Sequence, residues 1–243
     1  MARRRILIGA GLLLAIIAAL LLTGGRKAPR ETALFTTLPI LWAEAPDLAG
    51  LLQGDGPPHW ALPVLRRGGG QVLPLDTLLR LPEGGRLLVI AQPRPLSPQE
   101  NVELDRWVRA GGRVLLFADP LLTHHSAFAL GDRRRPQDVV LLSPILSRWG
   151  LALRFDEAQP PGEREAEVFD EVLPVNLPGR LAATGGGGAC ELSGAGLAAL
   201  CRIGAGRVIV LADAALLETG GDGLSDARRA VALEGLLRKV ESP

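Results

Sequence analysis

The sequence predicts an α/β fold: a mainly parallel, open sheet with helices on both faces. Three observations lead there. Residues 87–91 and 114–118 are short, continuously apolar runs, the composition of strands covered on both faces. Between them lies a helix with both ends marked. Ser97 can cap it, Pro98 suits its first position, and Glu100 can reach back to the Ser97 backbone N–H to complete a capping box. Leu104, Trp107 and Val108 form its apolar stripe, and Gly111-Gly112 provides the left-handed stop. Finally, parallel strands joined by a helix require a right-handed crossover, so Gln92 and Asp119 emerge at one carboxyl edge, where open α/β sheets bind ligands.

The remaining elements follow in chain order. Residues 6–22 carry no charge and follow Arg3, Arg4 and Arg5, a stretch long enough for a minimal membrane span. Thr23-Gly24-Gly25 contains no A-x-A cleavage pattern, so an uncleaved anchor is expected rather than a cleaved signal peptide. The leading arginines place residues 1–5 in the cytoplasm. The expected layout is a 6–23 anchor, a 24–32 linker and a 33–240 domain on the periplasmic side of a bacterial inner membrane.

Residues 33–42 read as the first strand despite Pro39, with Trp42 and Glu44 at its edge. A short helical turn can begin at Asp47. A helix over 59–67 requires Pro63 to fall in its first turn, and residues 71–75 read as a short strand. Residues 121–138 lack both structural periods and form a long loop over the sheet edge. Ser143-Pro144 opens a short helix closed by Gly150, and 151–155 alternates as a half-exposed strand. Residues 159–167 read as a polar, mobile stretch. From about 167 to 211 short strands and glycine loops suggest a β-hairpin extension of the sheet. Ser225 can cap a last helix whose apolar stripe is Leu233, Leu236, Leu237 and Val240, with Arg238 and Lys239 near its negative end.

Composition excludes more than it selects. The chain has 243 residues with 27 basic against 26 acidic side chains, which argues against nucleic-acid binding. Its two cysteines, Cys190 and Cys201, form an even pair at a spacing that suits a disulfide in an exported domain; two buried thiols are the alternative. The segments GRVLLFAD, ending at Asp119, and GRVIVLAD, ending at Asp213, share a common strand code.

No motif specifies catalysis. The glycine runs lack the G-K-[ST] of a phosphate-binding loop, and neither a G-x-S-x-G elbow nor a cysteine beside a histidine is present. Asp119 with His124 and His125 could hold a metal, but adjacent histidines diverge on regular backbone, so a hydrogen-bonded loop pair is the simpler reading. Asp119 and Asp213 could act as acid and base or simply build turns. Asp132, Arg133, Arg134, Arg135 and Asp138 could grip an anion or an acidic partner, or offset one another in solvent. Neither metal nor cofactor is expected.

The segments at 87–120, 143–151 (SPILSRWGL) and 204–218 (GAGRVIVLADAALLE) resemble the extracytoplasmic domain of the gliding-motility and auxiliary ABC-transporter family. They are also similar to small membrane-anchored proteins of unknown function that share it. The resemblance implies a flavodoxin/amidotransferase-like fold, close to class I glutamine amidotransferases but without their nucleophilic cysteine. It also implies a partner such as an ABC-transporter permease or another envelope protein. Larger members of that family add a C-terminal span; here only the N-terminal one is expected. The expected function is therefore a non-catalytic, membrane-anchored binding or scaffold domain. The alternative is an envelope hydrolase or ligand-binding enzyme using Asp119 with His124 or His125.

Overall fold

The computed structural model describes residues 31–42, 44, 58–67, 70–82, 87–219 and 223–242. The expected cytoplasmic tip, the anchor, most of the linker and the helical turn at Asp47 lie outside the described residues. Among the described residues no helix is long and apolar enough to cross a membrane.

Seven strands form one sheet in the order β2-β1-β3-β4-β11-β10-β9. Strands β1 (Thr32–Thr36), β2 (Val72–Pro74), β3 (Leu87–Ala91), β4 (Arg113–Phe117) and β11 (Gly206–Leu211) run parallel. β10 (Ala198–Ile203) and β9 (Ala189–Ser193) add an antiparallel edge. The chain winds outward from β1 to β2, then crosses back to β3, so the winding reverses between β1 and β3.

Alternation along the strands supplies two cores. Leu87, Val89 and Ala91 of β3 and Leu115 and Phe117 of β4 face helices α1 (Ala61–Leu65) and α4 (Asp226–Glu241). Leu88, Ile90, Val114 and Leu116 face α2 (Pro98–Arg109) and α3 (Ser143–Arg148), with Trp149 fully buried beside them. This two-sided burial explains why both strands are apolar at every position. The Ser97 capping box forms as expected, with Ser97 Oγ accepting from Glu100 N at 3.1 Å and Glu100 Oε2 accepting from Ser97 N at 2.9 Å. Pro63 falls in the first turn of α1, where its missing N–H costs nothing. The stripe of α4 is buried as expected, and the carbonyls at its end accept from Arg113 of β4 and Arg207 of β11. Those guanidiniums satisfy groups that a helix terminus leaves unpaired.

Several boundaries differ from expectation. The first strand ends at Thr36, because Thr36 Oγ1 accepts from Leu38 N at 2.9 Å and turns the chain. Leu38 and Ile40 remain buried in the core without extending the ladder. Within the polar stretch 159–167 a strand already begins, β6 (Arg164–Val168), which pairs only with β7 (Glu171–Val175) as a separate hairpin. β5 (Leu151–Arg154) and β8 (Arg180–Ala183) form another two-stranded sheet. The region 167–211 is thus not one extension; only β9 to β11 join the main sheet. Ser225 occupies the N-cap position of α4, but its side chain makes no capping hydrogen bond.

Cys190 and Cys201 are bonded across directly opposed positions of β9 and β10. The bridge therefore pins the outermost strand of the sheet to its neighbour.

Candidate functional site at the carboxyl edge

The two echoing segments are adjacent strands. β4 and β11 pair in register, Phe117 opposite Leu211, so Asp119 and Asp213 leave the sheet side by side two residues later. Both are buried. Each spends both carboxyl oxygens on backbone donors. Asp119 Oδ1 accepts from Leu121 N at 2.8 Å and its Oδ2 from Ala214 N at 3.0 Å, across to the neighbouring loop. Asp213 Oδ1 accepts from Ala215 N at 2.6 Å and its Oδ2 from Asn176 N at 2.9 Å. Burial pushes the Asp119 carboxyl up to about 7, against the two backbone bonds and with help from the Glu218 charge. Burial and the Asp119 charge raise Asp213 as well.

A third carboxyl group joins them. Glu218 follows the short turn Ala215–Leu217, is raised chiefly by burial, and accepts from Thr123 Oγ1 at 2.8 Å. His124 lies within its field, and its Nε2 faces Glu44 Oε1 at 3.7 Å, too far for a hydrogen bond. Glu44 in turn accepts from Ser126 Oγ at 2.8 Å and Ala127 N at 2.6 Å. His59 packs behind, its Nδ1 accepting from Ala61 N, which leaves Nε2–H to donate to Leu217 O at 2.9 Å. Burial lowers its basicity, in keeping with this neutral form. Behind the turn Arg229 is fully buried, donating to Leu224 O, Ala215 O and Glu163 Oε2.

At the winding reversal between β1 and β3 the backbone of Gln92 is left-handed, at φ 42°, and its side chain is buried. Its Nε2 donates to Asp119 O at 3.1 Å and Gln137 O at 2.8 Å, and its Oε1 accepts from Asp119 N at 3.0 Å. Thr37 Oγ1 donates to Gln92 O at 2.5 Å and accepts from Gln137 N at 3.0 Å. The crevice where this topology would admit a ligand is therefore bridged by the returning loop.

Of the residues singled out from the sequence, Asp119 and His124 share this edge, joined through Glu218. His125 is exposed and contacts only its own loop, Nδ1 lying 3.3 Å from Thr123 O. The arginine run stays apart. Arg134 pairs with Asp132 at 2.7 Å and lies over the Phe128 ring, while Arg135 pairs with Asp138 at 3.1 Å and donates to Phe128 O. Arg133 is exposed. Glu218 and His59 went unrecognised from the sequence because neither sits in a motif; the one available signal for Glu218 was its place just after the second strand-Asp segment. Among the described residues no group of three or more His, Cys, Asp or Glu side chains could hold a metal ion.

Comparisons with known proteins add family, not activity. No curated protein matches the chain. Among solved structures, a β-galactosidase from the haloarchaeon Halorubrum lacusprofundi aligns over 89% of this chain and 31% of its own, at 15% identity and TM-score 0.49. An exo-β-1,4-mannosidase from an Opitutaceae bacterium aligns over 95% and 37%, at 15% identity and TM-score 0.45. The chain thus spans only about a third of these glycosidases. A ThuA-like protein from Bacteroides uniformis aligns over 90% of this chain and 96% of its own, at 11% identity and TM-score 0.46. Likeness this distant carries no functional argument. Residues 63–237, well over half of the sequence, match the family described as "Domain of unknown function (DUF4350)", and the chain belongs to that family.

Proposed function

We propose that the protein is a non-catalytic, membrane-anchored binding or scaffold domain on the periplasmic side of the inner membrane, auxiliary to an ABC-type transport or envelope system. The observation that carries the non-catalytic part is the state of the carboxyl edge. Asp119 and Asp213 commit every carboxyl oxygen to backbone N–H groups. A general base must lie within reach of a substrate proton, and both carboxyl groups are buried behind these bonds. The left-handed turn after β3 has the backbone strain of a nucleophile elbow but carries a buried amide instead. That arrangement supports a flavodoxin/amidotransferase-like scaffold without its chemistry. The apolar 6–22 segment behind three arginines and the Cys190–Cys201 bridge support export and anchoring.

The exposed loop above the edge is the part offered to a partner, with Leu130, Arg133, Val139 and Leu141 all exposed. The test is purification of the full chain from detergent-solubilised membranes. An ABC-type permease, its ATPase or another envelope protein should come with it, and co-purification with none of them counts against the reading.

A second reading, a hydrolase or ligand-binding enzyme using Asp119 with His124 or His125, is favoured by one observation. His124 Nε2 is buried without a hydrogen-bond partner, close to Glu218 and Glu44. Unchanged cellular function and ligand affinity in His124→Ala, His125→Ala and Asp119→Asn would dispose of it.

A further inference from the structure

Besides the Gln92 amide and the Thr37 hydroxyl, three carboxyl groups fasten the loop spanning residues 119–141 to the body. Asp119 holds the loop's first turn to the neighbouring strand end through Ala214 N. Glu218 holds it at Thr123, and Glu44 holds it at Ser126 and Ala127. Asp119 and Asp213 are buried side by side at the ends of two adjacent parallel strands, and the half-buried Glu218 adds its charge to theirs. Such neighbours cannot all ionise without mutual repulsion that solvent screens only in part.

We propose that the Asp119–Asp213–Glu218 group is a proton-dependent joint: holding protons, it keeps the 119–141 loop docked, and losing them loosens that loop from the sheet edge. The inference holds whatever the loop binds.

The surroundings fix its direction. Asp119 and Asp213 face each other and Glu218. Glu218 also faces His124 from the loop, Arg229 from α4 and Glu163 from the segment before β6. Arg229 and Glu163 are already paired with one another at 2.5 Å, so that guanidinium does not fully neutralise the cluster. On the outer side His124 meets Glu44 and lies in the field of His59, which also feels Asp226 at the start of α4. His59 opposes the effect, because burial disfavours its charged form and acid works against it.

All three carboxyl groups are raised chiefly by burial in the docked structure, so an opened state that hydrates them releases protons that the docked state holds. Docking is therefore fully favoured below the ordinary carboxyl range and weakens as pH rises toward about 7, where Asp119 ionises in place. The more strongly buried Asp213 extends the effect upward. Most carboxylates held by hydrogen bonds give the opposite slope.

Hydrogen–deuterium exchange of the full chain in detergent, corrected for the intrinsic pH dependence of exchange, tests this. One linked proton makes opening about tenfold more favourable per pH unit, so protection of peptides within 119–141 should fall on the order of a hundredfold from pH 5 to pH 7. Peptides from β5 and β8, on the separate small sheet, should hold steady. Glu218→Gln keeps an acceptor for Thr123 and removes one charge, and should reduce the slope; Asp119→Asn should flatten it further. Protection of 119–141 that is independent of pH overturns the proposal. So does loss in parallel with the β5–β8 peptides, or an unchanged slope in both variants.

Discussion

Gln92→Ala is the sharpest perturbation of the carboxyl edge. The wild-type amide satisfies Asp119 N, Asp119 O and Gln137 O, and it is buried. Alanine leaves Asp119 N without a partner in a dry environment, at about 1–3 kcal/mol, while Asp119 O loses one bond but keeps the Val140 N–H. Gln137 is only partly buried, and water can replace its bond at smaller cost. With the two weakened carbonyl bonds the sum is roughly 2–4 kcal/mol, a large fraction of a typical domain's stability. Gln92→Gly loses the same bonds but relieves the left-handed backbone, and should be about 1 kcal/mol less destabilised than alanine. Gln92→Glu can still accept from Asp119 N but cannot donate to either carbonyl, and adds a charge beside Asp119. It should be as damaging as alanine or worse, and most so at high pH. Urea unfolding of the full chain in detergent, followed by tryptophan fluorescence, measures all three. A Gln92→Ala midpoint equivalent to less than about 0.5 kcal/mol from wild type would refute the view that this amide holds the edge together.

Other positions give independent checks. Replacing Cys190 and Cys201 together by alanine should lower stability by about 2–3 kcal/mol, the loop-closure value for their separation of 11 residues, and added reductant should then have no further effect on unfolding. Arg229→Met should cost about 3–5 kcal/mol, because it removes the buried partner of Glu163 Oε2 and of the Leu224 carbonyl, and a thermal melt would register it as a shift of several degrees. Gly150→Ala should destabilise by a few kcal/mol, since its φ is 81° and a Cβ would meet Gly186 O at 2.2 Å; a neutral result in the same melt would contradict that packing.

What could be read from the sequence was what local chemistry writes. The capping box at Ser97, the runs at 87–91 and 114–118, the Ser143-Pro144 start and the stripe of α4 are each fixed by residues within one or two turns of one another. The parallel pairing of the two runs followed from handedness alone. The cysteine pair was legible because its spacing matched a strand, a turn and a strand. The first strand was read too long because Leu38 and Ile40 are apolar for the core rather than for a ladder, and a threonine hydroxyl turned the chain. β6 was read as loop because its alternation is between exposed and half-exposed residues, with only Val168 fully inside.

The site was legible only in part, for a topological reason. Asp119 and Asp213 announce themselves by ending similar strands, but whether those strands are neighbours depends on a long crossover that no local signal records. Glu44, His59, His124 and Glu218 come from four separate segments and meet only once the sheet order is known. Local charge, by contrast, misled in a predictable way. The arginine run looked available as a gripping surface, yet Arg134 and Arg135 reach the aspartates two and three residues away.

The measurement that bears most directly on the proposed role is site-specific photo-crosslinking in intact cells from Leu130, the most exposed large apolar side chain of the loop, at 81%. The account predicts a discrete adduct with a membrane or envelope protein, recovered in the membrane fraction and absent when the probe is moved to Val231 on the outer face of α4. Adducts only with cytosolic proteins, or an identical pattern from both positions, would contradict it.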